Sequence, residues 1–153
     1  RYAFSDSKNP KVLSLTRQDL DYLDFDVKYE EFIKGGYVVS DGDDFTLVAS
    51  GSELEIAFKI KAALLEYSVR IISVPILNKL SNMQNEEINE LLKNKHVFPI
   101  ELGRSIGWES YLGRITKTFS IDSFGESAPI EDLEKNFGFD VPSITKEIIK
   151  YLN

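Results

Sequence analysis

Ser50-Gly51-Ser52-Glu53 joins an apolar run, Phe45 to Ala49, to a stretch with helical patterning. A strand-to-helix turn of this kind is where nucleotide-binding folds present free backbone N–H groups to phosphate. Ser52 and Glu55, however, have the S-x-x-E spacing of a capping box, in which two side chains take up the donors that a phosphate needs. Glu53 and Glu55 add two negative charges to the first turn, which suit the helix dipole and repel an anion. The residues therefore predict a self-capped helix in preference to an anion site, the cap being worth on the order of 1 kcal/mol.

Asp41-Gly42-Asp43-Asp44 could offer oxygen ligands to calcium or magnesium, but it lacks the alternating ligands and distant bidentate Glu of an EF-hand loop. It also lacks the G-D-G order and downstream Asn of a metal-diphosphate site, and reads as a solvated turn. His96 is the single histidine, so imidazole acid–base chemistry would rest on one residue at a strand start, where a structural role is expected. Glu101, Glu109, Asp122 and Glu126 stand nearest to predicted strand ends, and nothing in their spacing selects an acid–base pair. Arg17 has the guanidinium best suited to grip a phosphate through two hydrogen bonds; taken alone, an ordinary ion pair describes it better.

These residues must be placed by a chain of 153 residues, enough for one domain with a hydrophobic core. Its 42% hydrophobic and 28% charged content, with 10 Phe and 7 Tyr, is that of a folded globular protein. A formal charge of -7 without a Lys/Arg cluster argues against nucleic acid as a partner. The absence of cysteine removes disulfide and thiolate chemistry and fits an intracellular, cytoplasmic setting. No apolar run reaches the roughly 20 residues of a membrane span, and none resembles a signal peptide. The chain begins with Arg1 rather than Met, as expected of a product from which an upstream part has been removed.

Lys11 to Thr16 (KVLSLT) follows the Asn9-Pro10 breaker and predicts a short isolated strand. The acidic stretch from Arg17 to Glu31 has no clean periodicity and reads as a linker with at most one helical turn. Tyr37 to Val39 and Phe45 to Ala49, joined by the acidic turn, read as a hairpin. A helix over Glu53 to Tyr67 and a strand over Val69 to Val74 then complete a βαβ unit. Further elements are expected at Asn85 to Lys93 (helix), His96 to Leu102 (strand), Ser105 to Leu112 (helix) and Lys117 to Ile121 (strand). Helices at Ile130 to Phe137 and Pro142 to Leu152 close the series. The alternation implies an α/β fold, a mostly parallel sheet covered by helices on both faces.

Five segments stand in an order and spacing that together are specific: LSLTRQDL (Leu13 to Leu20), KGGYVVSDG (Lys34 to Gly42), LVASGSELEIA (Leu47 to Ala57), VRIISVP (Val69 to Pro75) and FGESAPIEDLEKNFGF (Phe124 to Phe139). They resemble the end of transketolase, and the likeness covers essentially the whole chain. It implies a carboxyl-terminal domain folded as a three-layer α/β/α sandwich with a mostly parallel, mixed sheet, over residues 34–153. Residues 1–33 would be the last strand of the preceding pyrimidine-binding domain and an interdomain connection. TRQ and FGESAP favour transketolase over the related deoxyxylulose phosphate synthase and the β subunit of pyruvate dehydrogenase.

The parent function so implied is transfer of two-carbon ketol units between sugar phosphates with thiamine diphosphate and a divalent metal, Mg or Ca, in the pentose phosphate pathway. The family's cofactor-binding and catalytic residues lie in upstream domains, so no catalytic, cofactor or metal residue is expected in this chain. One functional position carries over: the Arg of the family's SRQ motif, which binds substrate phosphate, corresponds to Arg17, with Thr16 in place of the usual Ser. The expected partners are the upstream domains of the same enzyme, within a homodimer. Two other functions stay open: a ligand-binding regulatory module built on the strand-turn-helix, and a short subunit of a split enzyme.

Overall fold

The computed structural model describes residues 2–5, 8–16 and 18–153. Two short helices come first, α1 (Tyr2–Ser5) and α2 (Tyr29–Phe32). They are followed by β1 (Tyr37–Ser40), β2 (Phe45–Ala49), α3 (Glu53–Ala63) and β3 (Val69–Ser73). A 3-10 helix over Leu77–Asn82 leads to α4 (Asn85–Leu92), β4 (His96–Glu101), α5 (Trp108–Leu112) and β5 (Phe119–Ser120). The last elements are α6 (Ile130–Asn136) and α7 (Val141–Leu152).

The strands form one mixed sheet in the order β1-β3-β2-β4-β5, parallel except where β1 runs antiparallel to β3. Alternation along each strand divides two cores. Phe45, Leu47 and Ala49 of β2, Val69 and Ile71 of β3, and Phe98 and Ile100 of β4 face Leu54, Ala57 and Ile60 of α3 and Ile144 and Ile148 of α7. Val48, Ile72 and Val97 point the other way, against Leu80 of the 3-10 helix, Ile88 and Leu92 of α4, and Trp108 and Leu112 of α5. The chain is thus the expected α/β/α sandwich.

Buried positions three residues apart in α3, at Leu54, Ala57 and Ile60, account for its docking onto the sheet. Pro99 fits inside β4 because it shares the parity of Val97, whose N–H and C=O face Thr116. Its missing donor therefore falls on the side where β5 contributes only two residues. Asp140 caps α7 by accepting from the Ser143 N–H at 3.0 Å, and Pro142 occupies the first turn, where its missing N–H costs nothing.

Two expected elements differ. Residues 10–16 form no strand: no ladder partner is present, and Val12 and Leu15 are 94% and 82% exposed. An alternating pattern predicts a strand only where a sheet edge exists to pair with it. The hairpin is also absent, because β1 pairs with β3 and not with β2. The acidic turn crosses beneath β3, where Asp41 pairs with Arg70 and the Asp44 N–H donates to the Ser68 carbonyl at 3.0 Å. Among the described residues no helix is long and apolar enough to cross a membrane.

Candidate functional site

α3, which follows β2, lies on one face of the sheet, whereas α5, which follows the neighbouring β4, lies on the other. Connections that leave adjacent strands toward opposite faces open a crevice at their carboxyl ends, the usual ligand position in open α/β sheets. Here the crevice belongs to a cleft of about 830 Å³. Ser50, Ser52, Glu53, Pro75, Glu101 and Gly103 are among the residues that line it.

Two carboxylates occupy the crevice. Glu53, the first residue of α3, is only 6% exposed. Its Oε1 accepts from the Leu102 N–H at 3.0 Å and its Oε2 from the Ser52 hydroxyl at 3.1 Å. Glu101, the last residue of β4, accepts from the Gly103 N–H at 3.1 Å. Burial pushes the Glu101 carboxyl above the ordinary glutamate range and the charge of Glu53 adds to this, against the pull of the Gly103 N–H and the Trp108 side chain.

The S-x-x-E capping box does not form. Ser52 is in the helical region and its side chain makes no capping bond. The first-turn donors are satisfied by the backbone instead, with Glu53 N–H to the Ser50 carbonyl at 3.2 Å, Leu54 N–H to Gly51 at 3.4 Å and Glu55 N–H to Ser52 at 3.2 Å. Gly51, at φ +54°, supplies the left-handed turn that brings these carbonyls round. Glu55 turns outward to Lys59 and accepts from the Asp21 N–H at 3.4 Å. The helix start thus satisfies its first-turn donors through backbone carbonyls and not through a Ser52–Glu55 box, and Glu53 adds a negative charge there.

A model of the transketolase-like TK C-terminal domain matches residues 35–140. The chain belongs to the transketolase C-terminal domain family. The transketolase of Bacillus subtilis is 34% identical over 165 aligned positions, which take in 100% of this chain and 24% of that protein. The chloroplastic transketolase of Zea mays is 35% identical over 154 positions, covering 94% and 22%. The transketolase from Leishmania mexicana superposes with a TM-score of 0.67 at 31% identity, over 77% of this chain and 18% of that one. A split-gene transketolase described as an inactive beta4 tetramer shares the fold at a TM-score of 0.60 and 22% identity, over 78% of this chain and 42% of that one. The chain spans about a quarter of the length of the curated relatives it matches.

In this transketolase C-terminal domain the other candidate residues are held apart from one another. Arg17, the expected phosphate contact, lies outside the described residues. Asp41 and Asp43 pair with Arg70 and Lys93 at the opposite end of the sheet, and the Asp44 carboxylate accepts from the Ser68 N–H at 2.6 Å. His96 stacks on Phe98 with ring centroids 6.4 Å apart, and its buried Nδ1 has no partner. Asp122 accepts from Ser105 and Ser120 at 2.6 to 3.1 Å, which holds its carboxyl below the usual range, the Ser120 hydroxyl contributing most. Glu126 accepts from Asn136 at 3.0 Å, and Glu109 is exposed on α5.

Among the described residues no group of three or more His, Cys, Asp or Glu side chains is placed to hold a metal. A metal-bound diphosphate does not fit the crevice, where two carboxylates stand and the first-turn donors are already used. Sequence spacing identified Glu101 as a carboxylate near a strand end but not its partner, because Glu53 reads as a first-turn surface charge until the turn after β4 closes over it.

Proposed function

We propose that this domain serves as the structural and subunit-supporting part of a transketolase. Residues 1–33 form the end of the pyrimidine-binding domain with its connection, and residues 34–153 form the independent C-terminal domain. Thiamine diphosphate and a divalent metal, Mg or Ca, bind in the remaining domains of a homodimeric cytoplasmic enzyme. That enzyme transfers two-carbon ketol units between sugar phosphates. The reading rests on one observation: the C-terminal domain family match over residues 35–140, with transketolases as relatives on both sides of the comparison. The two carboxylates in the crevice support a scaffold role for the strand-turn-helix.

Calorimetric titration of this chain with thiamine diphosphate and Mg is expected to give no binding heat, and binding at micromolar concentration contradicts the scaffold role. Co-expression with a polypeptide supplying the preceding transketolase domains is expected to give ketol transfer between sugar phosphates. Within that assembly, Arg17 grips the substrate phosphate. Arg17→Ala should raise KM for a phosphorylated acceptor about tenfold or more, as loss of charged hydrogen bonds requires, and leave turnover of an unphosphorylated acceptor unchanged.

A further inference from the structure

From Tyr22 to Glu30 the side chains alternate between exposed and part-buried, with Leu23, Phe25, Val27 and Tyr29 part-buried. Leu23 and Phe25 pack against the core that α3 shares with the sheet. The Phe25 ring lies nearly parallel to Phe58 of α3, with centroids 6.4 Å apart and 14° between the planes, and tilts against Tyr37 of β1, also at 6.4 Å. Close by on α3, Glu55 accepts from the Asp21 N–H at 3.4 Å. Glu55 and Phe58 are three residues apart and share one face of the helix. The stretch whose sequence reads as a linker is therefore a strap, fastened to α3 at one polar and one aromatic point.

Arg17 stands four residues before Asp21, a reach of at most about 14 Å of chain. The two residues that flank it are joined, the Gln18 N–H donating to the Thr16 hydroxyl at 3.4 Å. We propose, resting on the reading of Arg17 given above, that Phe25, Phe58 and Glu55 are positioning residues for its contact with substrate phosphate. The preceding domain holds the chain on the amino side of Arg17, and the strap holds it on the carboxyl side. A segment fastened on both sides has less conformational freedom left to lose when it closes on a ligand, which tightens binding without a new contact. The C-terminal domain thereby takes part in substrate recognition while touching no substrate.

The test uses this chain assembled with the preceding transketolase domains and compares a phosphorylated with an unphosphorylated acceptor. Phe25→Ala is expected to raise KM for the phosphorylated acceptor about threefold or more, with its kcat and both constants for the unphosphorylated acceptor unchanged. Phe25→Leu, which keeps apolar packing on Phe58, should recover most of the native KM. Glu55→Ala removes the acceptor for the Asp21 N–H from the helix surface, and should shift KM in the same direction in a variant with its core intact. Added to Arg17→Ala, Phe25→Ala should raise KM no further, because both act through one contact. Ile88→Val, which loosens the opposite core, should leave both acceptors at native values.

The positioning role is overturned if Phe25→Ala and Glu55→Ala leave the phosphorylated acceptor at its native KM, or if they weaken both acceptors alike. It is equally overturned if Phe25→Ala adds its full effect to that of Arg17→Ala, or if Ile88→Val reproduces it. A native KM for the phosphorylated acceptor in Arg17→Ala is a different failure, since it refutes the reading of Arg17 itself and the strap's role with it.

Discussion

Lys117 and Glu147 meet at 2.9 Å between Nζ and Oε1, tying the strand-end segment before β5 to the last helix. Glu147 also accepts from Lys150 at 2.6 Å, and these two cations, Lys150 first, hold its carboxyl down at about 2 against an ordinary 4.5. A depressed carboxyl contributes stability that is present above its unfolded value and disappears as pH falls through the folded one. Glu147→Gln should therefore lower the melting temperature at neutral pH. The difference from the native chain should fade as pH drops from about 4.5 toward about 2, a range readily covered by thermal melts in a pH series.

Arg70 carries a charge into the second core, being 8% exposed within β3. Its Nε donates to the Leu91 carbonyl at 2.9 Å and its Nη2 to the Glu90 carbonyl at 3.4 Å, while Nη1 pairs with Asp41. One guanidinium thus closes the end of α4 against the sheet. Arg70→Met keeps most of the volume and strands those carbonyls, at a cost of about 2–4 kcal/mol in denaturant unfolding. Arg70→Lys should recover little of it, since an ammonium cannot reproduce the planar fork.

Gly42 and Gly125 offer a matched pair. A Cβ at Gly42 would stand 2.4 Å from the Val69 carbonyl carbon and 2.5 Å from the Ser68 oxygen, both backbone atoms, whereas a Cβ at Gly125 meets nothing within 4 Å. Gly42→Ala must displace the start of β3 and should cost about 1–3 kcal/mol, with Gly125→Ala within about 0.5 kcal/mol of the native chain. Equal midpoints for the two variants would contradict the close approach of this turn to β3.

Ser52 makes no capping bond, so Ser52→Ala removes only its hydroxyl contact with Glu53. The expected loss is below about 1 kcal/mol, smaller than a broken N-cap gives in its upper range. Glu53→Ala, which strands the Leu102 N–H as well, should cost more, and the order of the two denaturation midpoints checks this.

The βαβ unit was legible because its signals are local: a five-residue apolar run, a Gly-containing turn, then Leu54, Ala57 and Ile60 at helical spacing. In two places where the sequence misled, a partner distant along the chain decided the outcome. Tyr37 to Ser40 pairs with β3 and not with the strand next to it in sequence, because Gly42, Asp41 and Asp44 fasten the intervening turn to Ser68 and Arg70. The carboxylate pair was hidden for the same reason. Glu53 and Glu101 are brought together only by the parallel register of β2 and β4, which sets Ala49 beside Ile100 and which no spacing rule reports.

The sheet face lined by Phe45, Phe98 and Ile71 is completed by Ile144 and Ile148 of α7, with Tyr151 set edge-on to Phe98 at 5.9 Å. On the ribosome every strand emerges before this helix does. Until Val141–Leu152 has been made, an aromatic-rich surface stands open beside its neighbours on the same messenger. For this fold, the interval between the last strand and the last helix is when a chaperone has something to hold.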